Sequence, residues 1–174
     1  LKLRPIPIVL TVVVSATVLF GGWFFYRQTT MQGPLQKIVQ DYNGVNNAQF
    51  NINRNQINLK LDLKPDTNLS GLVDQITTKG KSVVGNRTLK FDFVDHSSDK
   101  LNRYWDSAMF TVAEAMDNKK YTDIPAKLQI LAKDSGIKTQ TEMDNKNVYI
   151  SLSDGAASKF IVLPRDPGKM GVWE

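Results

Sequence analysis

The 174 residues contain no cysteine. That absence excludes a disulfide framework, a thiolate zinc site, a lipid-modified cysteine and thiol redox chemistry. Histidine is almost as scarce: His96 is the only one. Zinc sites are built chiefly from histidine and cysteine, so a metal centre of that kind has no ligand set here. There is no glycine-rich phosphate loop of the P-loop or dinucleotide-binding type. No acidic residue occurs among the first 30, and no basic run exceeds the pair Lys119-Lys120.

The formal net charge is +5. Lys2, Arg4 and Arg27 supply three of the 22 basic residues, which leaves 19 to face the 17 acidic ones. Those charges are interleaved along the chain. A nucleic-acid surface concentrates positive charge on one face, so no nucleic-acid partner is expected.

What the sequence does have is one long apolar run. From Pro5 to Tyr26 there is no charged residue. As a helix rising 1.5 Å per residue, this run of about 22 residues reaches roughly 33 Å, enough for a hydrocarbon core near 30 Å. Pro5, Val13 and Leu19 lie along it, and Trp23, Phe24, Phe25 and Tyr26 suit the headgroup boundary. The run is too long, and its end too bulky, for a cleaved signal peptide. The expectation is an uncleaved single-pass transmembrane helix, with residues 1–27 as cytoplasmic stub and anchor. The basic N-terminus is then cytoplasmic, and the rest of the chain is an extracytoplasmic domain of the cell envelope. Leu1, read as an alternative start, would suit a bacterial gene.

Residues 28–33 read as a tether. Pro34 suits the first turn of a helix with Leu35, Ile38 and Val39 as its stripe, and Asn43-Gly44 ends it. Gln49–Asn53 and Gln56–Leu63 read as strands, with Arg54-Asn55 as the turn between them. In the second, Ile57, Leu59, Leu61 and Leu63 alternate with polar residues, the pattern of a half-buried strand. Thr67 and Asn68 are candidate caps for a helix carrying Leu69, Leu72, Val73 and Ile76. Thr88–Asp95 is a third strand. Residues 34–95 thus form an αββαβ unit.

A second unit spans residues 96–174. Ser97 or Ser98 caps a long amphipathic helix in which Leu101, Tyr104, Trp105, Ala108 and Val112 recur at three- and four-residue steps. Thr122 is the N-cap candidate of a second helix, and Gly136 ends it. Three strands follow, at Lys138–Met143, Val148–Leu152 and Lys159–Leu163. Prolines and glycines make the tail after Pro164 irregular. The order is ααβββ, and the whole is expected to be α+β.

Catalytic signatures are weak. His96 stands between Asp95 and Ser97, but triad members come from separate elements. Ser97-Ser98-Asp99-Lys100 matches Ser-x-x-Lys, yet its partner motifs are in the wrong order and the chain is too short for that fold. The carboxylates Asp92/Asp95, Asp106, Glu114/Asp117 and Glu142/Asp144 fall on polar faces or turns, with no sign of the opposed pair that glycoside hydrolysis needs. No catalytic residue and no cofactor is therefore expected. Trp105 and Tyr149 are the candidate interaction or pocket residues.

The stretch Leu35-Gln-Lys-Ile-Val-Gln-Asp-Tyr-Asn-Gly-Val45, with the strands, helix and strand after it, resembles the modules of BON domains and ring-building motifs of bacterial envelope proteins. The resemblance covers about 60 residues and rests on element order and the helix-ending Gly44-Val45. Arg54-Asn55 stands where those modules usually carry a second glycine. It implies a protein that works by self-association or by docking to a partner or lipid, with no catalytic residues. The expected function is accordingly a non-enzymatic, membrane-anchored scaffold whose partners are the lipid bilayer, another protein or copies of itself. The alternatives are a binding module for a wall or extracellular ligand and, below that, a wall hydrolase.

Overall fold

A computed structural model describes residues 5–27 and 33–166, with side chains in the first helix described from Val9 to Gly22. The first element is helix α1 (Pro5–Arg27). Its described side chains include Val9, Leu10, Val13, Leu19 and Phe20, all exposed. Among the described residues, however, no helix is long and apolar enough to cross a membrane. The expected transmembrane helix is corrected on that finding. The single-pass membrane location and the extracytoplasmic placing of the later residues, both of which rested on the helix, are corrected with it. Of the expected anchor residues, Val13 and Leu19 are exposed helix positions. The side chains of Pro5, Trp23, Phe24, Phe25 and Tyr26 lie outside the described residues, as do the stub 1–4 and tether positions 28–32.

The remainder is α+β, with two three-stranded sheets. Helix α2 (Gly33–Gln40) leads into β1 (Val45–Ile52) and β2 (Gln56–Leu63). The pair is an antiparallel hairpin closed at Arg54-Asn55, where the Asn53 N–H donates to the Gln56 carbonyl at 2.8 Å. In β2 the side chains Ile57, Leu59, Leu61 and Leu63 are all buried, as the alternation requires. Helix α3 (Leu69–Lys79) and the single turn α4 (Lys81–Val84) carry the chain back, so that β3 (Thr88–Phe93) pairs parallel to β2. The sheet order is β1-β2-β3.

Helix α5 (Asp99–Asp117) and helix α6 (Asp123–Ala132) then pack together, pinned where the Tyr104 hydroxyl donates to the Leu128 carbonyl at 2.6 Å. The second sheet is a meander of β4 (Lys138–Met143), β5 (Asn147–Asp154) and β6 (Ala157–Pro164), in that order and antiparallel throughout. Ser98 caps α5 by accepting from the Leu101 N–H. Thr122, expected as a cap of α6, has helical φ and ψ and makes no side-chain cap bond.

Two apolar clusters hold the molecule together. One gathers α2, α3 and β2 around Leu35, Leu59, Leu61, Leu72 and Ile76. The other gathers α5 and α6 around Leu101, Ala108, Leu128, Ile150 and Leu152. They meet at β5, where every residue from Val148 to Ser153 is buried. Val148, Ile150 and Leu152 face the helical pair, whereas Tyr149 belongs to the first cluster, with Phe160 and Val162 of β6 packed against it. A strand covered on both faces loses the polar alternation that marks a solvent-facing one.

Candidate functional site

The site lies where the two sheets approach. β3 is an edge strand of the first sheet and β6 an edge strand of the second. They touch just beyond the end of β3: the Ser158 N–H donates to the His96 carbonyl at 3.1 Å, an isolated antiparallel bridge. Away from that bridge a groove of about 470 Å³ separates them, lined by Phe91 to Asp95 on one side, Ser158 to Val162 on the other, and Trp105 of α5. Successive strand residues point to opposite faces. A groove lined by consecutive residues of two strands therefore runs along their edges, not over a face.

The direction of the backbone follows from the hydrogen bonds. The Val94 N–H donates to the Leu61 carbonyl of β2. By alternation the N–H and C=O groups of Phe91 and Phe93 point the other way, to the groove. On the opposite wall the Arg165 N–H donates to the Lys146 carbonyl, towards β5, and the Ser158 N–H points towards β3. Phe160 and Val162 share the phase of Ser158, so their N–H groups also face the groove. Pro164 holds the next position of that phase and carries no N–H, as suits a strand edge.

Around these backbone groups the side chains are mostly apolar. Phe93 and Phe160 stand tilted with ring centroids 5.8 Å apart. Ser158 is 2% exposed, and its hydroxyl has no hydrogen-bond partner among the described residues. A buried hydroxyl left unmatched costs about 1–3 kcal/mol. Two charged groups sit at the bridged end. Lys159 donates to the Asn102 side chain at 3.0 Å. The Asp95 carboxyl is held below the usual carboxylate range by hydrogen bonds from the Ser97 hydroxyl and N–H, with Lys159 and His96 adding to the effect against the cost of burial.

The structure separates the two candidate residues. Trp105 is half-buried and lines the groove. Tyr149 is 1% exposed and interior. Its hydroxyl donates to Asp144 Oδ2 at 2.7 Å and accepts from the Asn147 amide at 3.2 Å. Burial, with the Asp144 carboxylate beside it, pushes the Tyr149 hydroxyl far above its ordinary value of 10. Tyr149 reaches no part of the groove lining.

Of the residues weighed for catalysis, Asp92 and Asp95 line the groove, and the others are dispersed. His96 meets Asp62 of β2 at 3.1 Å. Glu114 pairs with Lys127 at 3.5 Å, and Glu142 accepts from the Ser70 N–H at the start of α3 at 2.7 Å. Among the described residues, no three His, Asp or Glu side chains lie together as a metal-binding group. Of the residues that line the groove, the sequence singled out Trp105 as a candidate and gave no sign of Phe91, Phe93, Phe160 or the edge backbone. Both β3 and β6 were expected as strands, but which strands become edges depends on pairing order, and that order carries no local signal.

Compared with known proteins, the chain matches no family model, no curated protein and no solved structure.

Proposed function

We propose that this chain is a non-enzymatic association module that binds by strand addition, taking an extended segment into the groove between β3 and β6. One observation carries the reading: two strand edges, whose groove-facing backbone groups have no backbone partner among the described residues, line a single groove. Main-chain pairing gives affinity in this mode, and alternate side-chain pockets give specificity. The polar outer face of the first sheet, with Lys60, Lys90 and Asp92 exposed, is a poorer docking surface than the edge. The resemblance of residues 34–95 to modules that act by self-association points the same way.

The test uses Val162→Pro in the full chain. The Val162 N–H faces the groove, so proline removes a donor there and none from the ladder with β5. Mass in solution is measured against concentration for both proteins. Wild type should associate, and the variant should remain a folded monomer by circular dichroism. Equal association of the two would refute strand addition at this edge.

A further inference from the structure

A second cleft opens where β3 begins, at the opposite end of that strand from the groove. The hairpin turn between β1 and β2 meets the loop between α4 and β3 there. Gly85 turns the chain at φ +57° after α4. Two hydrogen bonds then lock the loop to the hairpin: the Thr88 N–H donates to the Asn55 carbonyl at 2.9 Å, and Arg87 Nε donates to the Asn53 carbonyl at 3.2 Å. The cleft has a volume of about 480 Å³ and is lined by Arg54, Asn55, Asn86, Arg87 and Thr88.

All five of those side chains can donate a hydrogen bond, and none is a carboxylate. Sites for larger organic ligands are mostly apolar, so this lining suits a small, strongly hydrated anion. The surrounding sequence agrees. Residues 42–61 and 75–91 contain both walls and hold Arg54, Lys60, Lys79, Lys81, Arg87 and Lys90 without one acidic residue. A cleft lined by one sign of charge concentrates ions of the other sign. Arg87 Nη1 also donates to the carbonyls of Val83 at 3.1 Å and Val84 at 3.4 Å. Carbonyl partners fix a guanidinium in place without cancelling its charge. Arg54 stands exposed at the hairpin tip and forms no ion pair with another described residue.

We infer that this cleft binds a phosphoryl group, as the free ion or as a monoester. Arg87 is its fixed cation, and Arg54 reaches over it as a two-pronged donor. Asn55, Asn86 and Thr88 donate to the remaining oxygens. The site does not depend on strand addition in the groove.

Amide chemical shifts of the full-length protein test this, in a titration with sodium phosphate against sodium chloride at matched ionic strength. The side-chain amides of Asn55 and Asn86 and the Thr88 N–H should move with phosphate and saturate. Arg54→Gln should weaken binding at least about tenfold. Arg54→Lys keeps the charge but not the fork, and should fall between the two. Arg87 is left intact because it ties the loop to the hairpin, and unmoved Leu61 and Ile150 amides show that each variant stays folded. Equal affinity in Arg54→Gln and wild type, or no saturable shift, would overturn the site. Shifts of the same size at Lys119 and Lys120 would also overturn it, since charge screening alone produces those. Glycerol 3-phosphate, run in parallel, separates the two sources. Tighter binding than inorganic phosphate assigns the cleft to an ester, and equal or weaker binding assigns it to the free ion.

Discussion

At the scale of single residues, two positions show how a small group fixes a local path. Gly44 has φ +113°, and a Cβ there would lie 2.4 Å from Thr67 Oγ1. Thr67 is 2% exposed, and its hydroxyl lies 3.0 Å from the Gly44 carbonyl and 2.7 Å from that of Lys64. It clasps the start of β1 to the end of β2. Gly44→Ala should therefore cost about 1–3 kcal/mol, from strain at positive φ and a displaced Thr67, read as a lower midpoint in urea unfolding. Asp144 is the second position. Burial would raise its pKa, but the Tyr149 hydroxyl and the Asn147 and Lys146 N–H groups outweigh that, and the carboxyl titrates below its ordinary value. A depressed folded pKa adds stability above the unfolded value of about 3.9, and that stability is lost as pH falls through the folded pKa. Tyr149→Phe should cost about 1 kcal/mol at neutral pH. It should also flatten the fall in stability below about pH 4, seen in denaturation midpoints across that range.

At the scale of elements, the sequence was legible wherever one face of a segment meets water. The alternation in β2, the stripe of α5 and the turn at Arg54-Asn55 each have a local cause, and each appears within a residue or two of its expected place. The caps were partly legible. Asn68, one of two candidates, caps α3 by accepting from the Gly71 N–H, while Thr67 is used elsewhere. Asn68→Ala should cost about 0.5–2 kcal/mol, measured by thermal unfolding. Thr122 was misleading because the turn before α6 is set by backbone: Lys119 takes φ 55°, and the Lys120 N–H reaches the Ala115 carbonyl at 2.8 Å. That geometry leaves Thr122 already helical. The parallel pairing of β3 with β2 was also hidden, because both orientations satisfy the same alternation of Leu89, Phe91 and Phe93.

At the scale of the whole molecule, the two units read from the sequence share their interior. The apolar clusters meet across β5, and the Glu142 carboxylate of β4 accepts from the N-terminus of α3, where helix polarity favours negative charge. The candidate site belongs to this scale, since its walls come from residues about 70 positions apart. That is why Trp105 could be singled out from its helix while its neighbours in the groove could not. Phe160→Ala removes a ring that packs against the first cluster and against Phe93. For this half-buried ring the cost should be about 2–4 kcal/mol, somewhat less than a fully enclosed phenylalanine. Calorimetry should show one cooperative transition lowered as a unit, whereas a separate early transition would mean that the halves melt independently.

The burial of β5 on both faces also sets an order of events in time. Leu35, Leu59 and Leu72 emerge from the ribosome early, but Tyr149, Phe160 and Val162, which complete their cluster, come about 75–125 residues later. At roughly 5–20 residues per second, that leaves several seconds during which the first sheet is made but its interior is open on one side. The leading half must wait for the trailing half, and any chaperone that attends this chain has that interval in which to act.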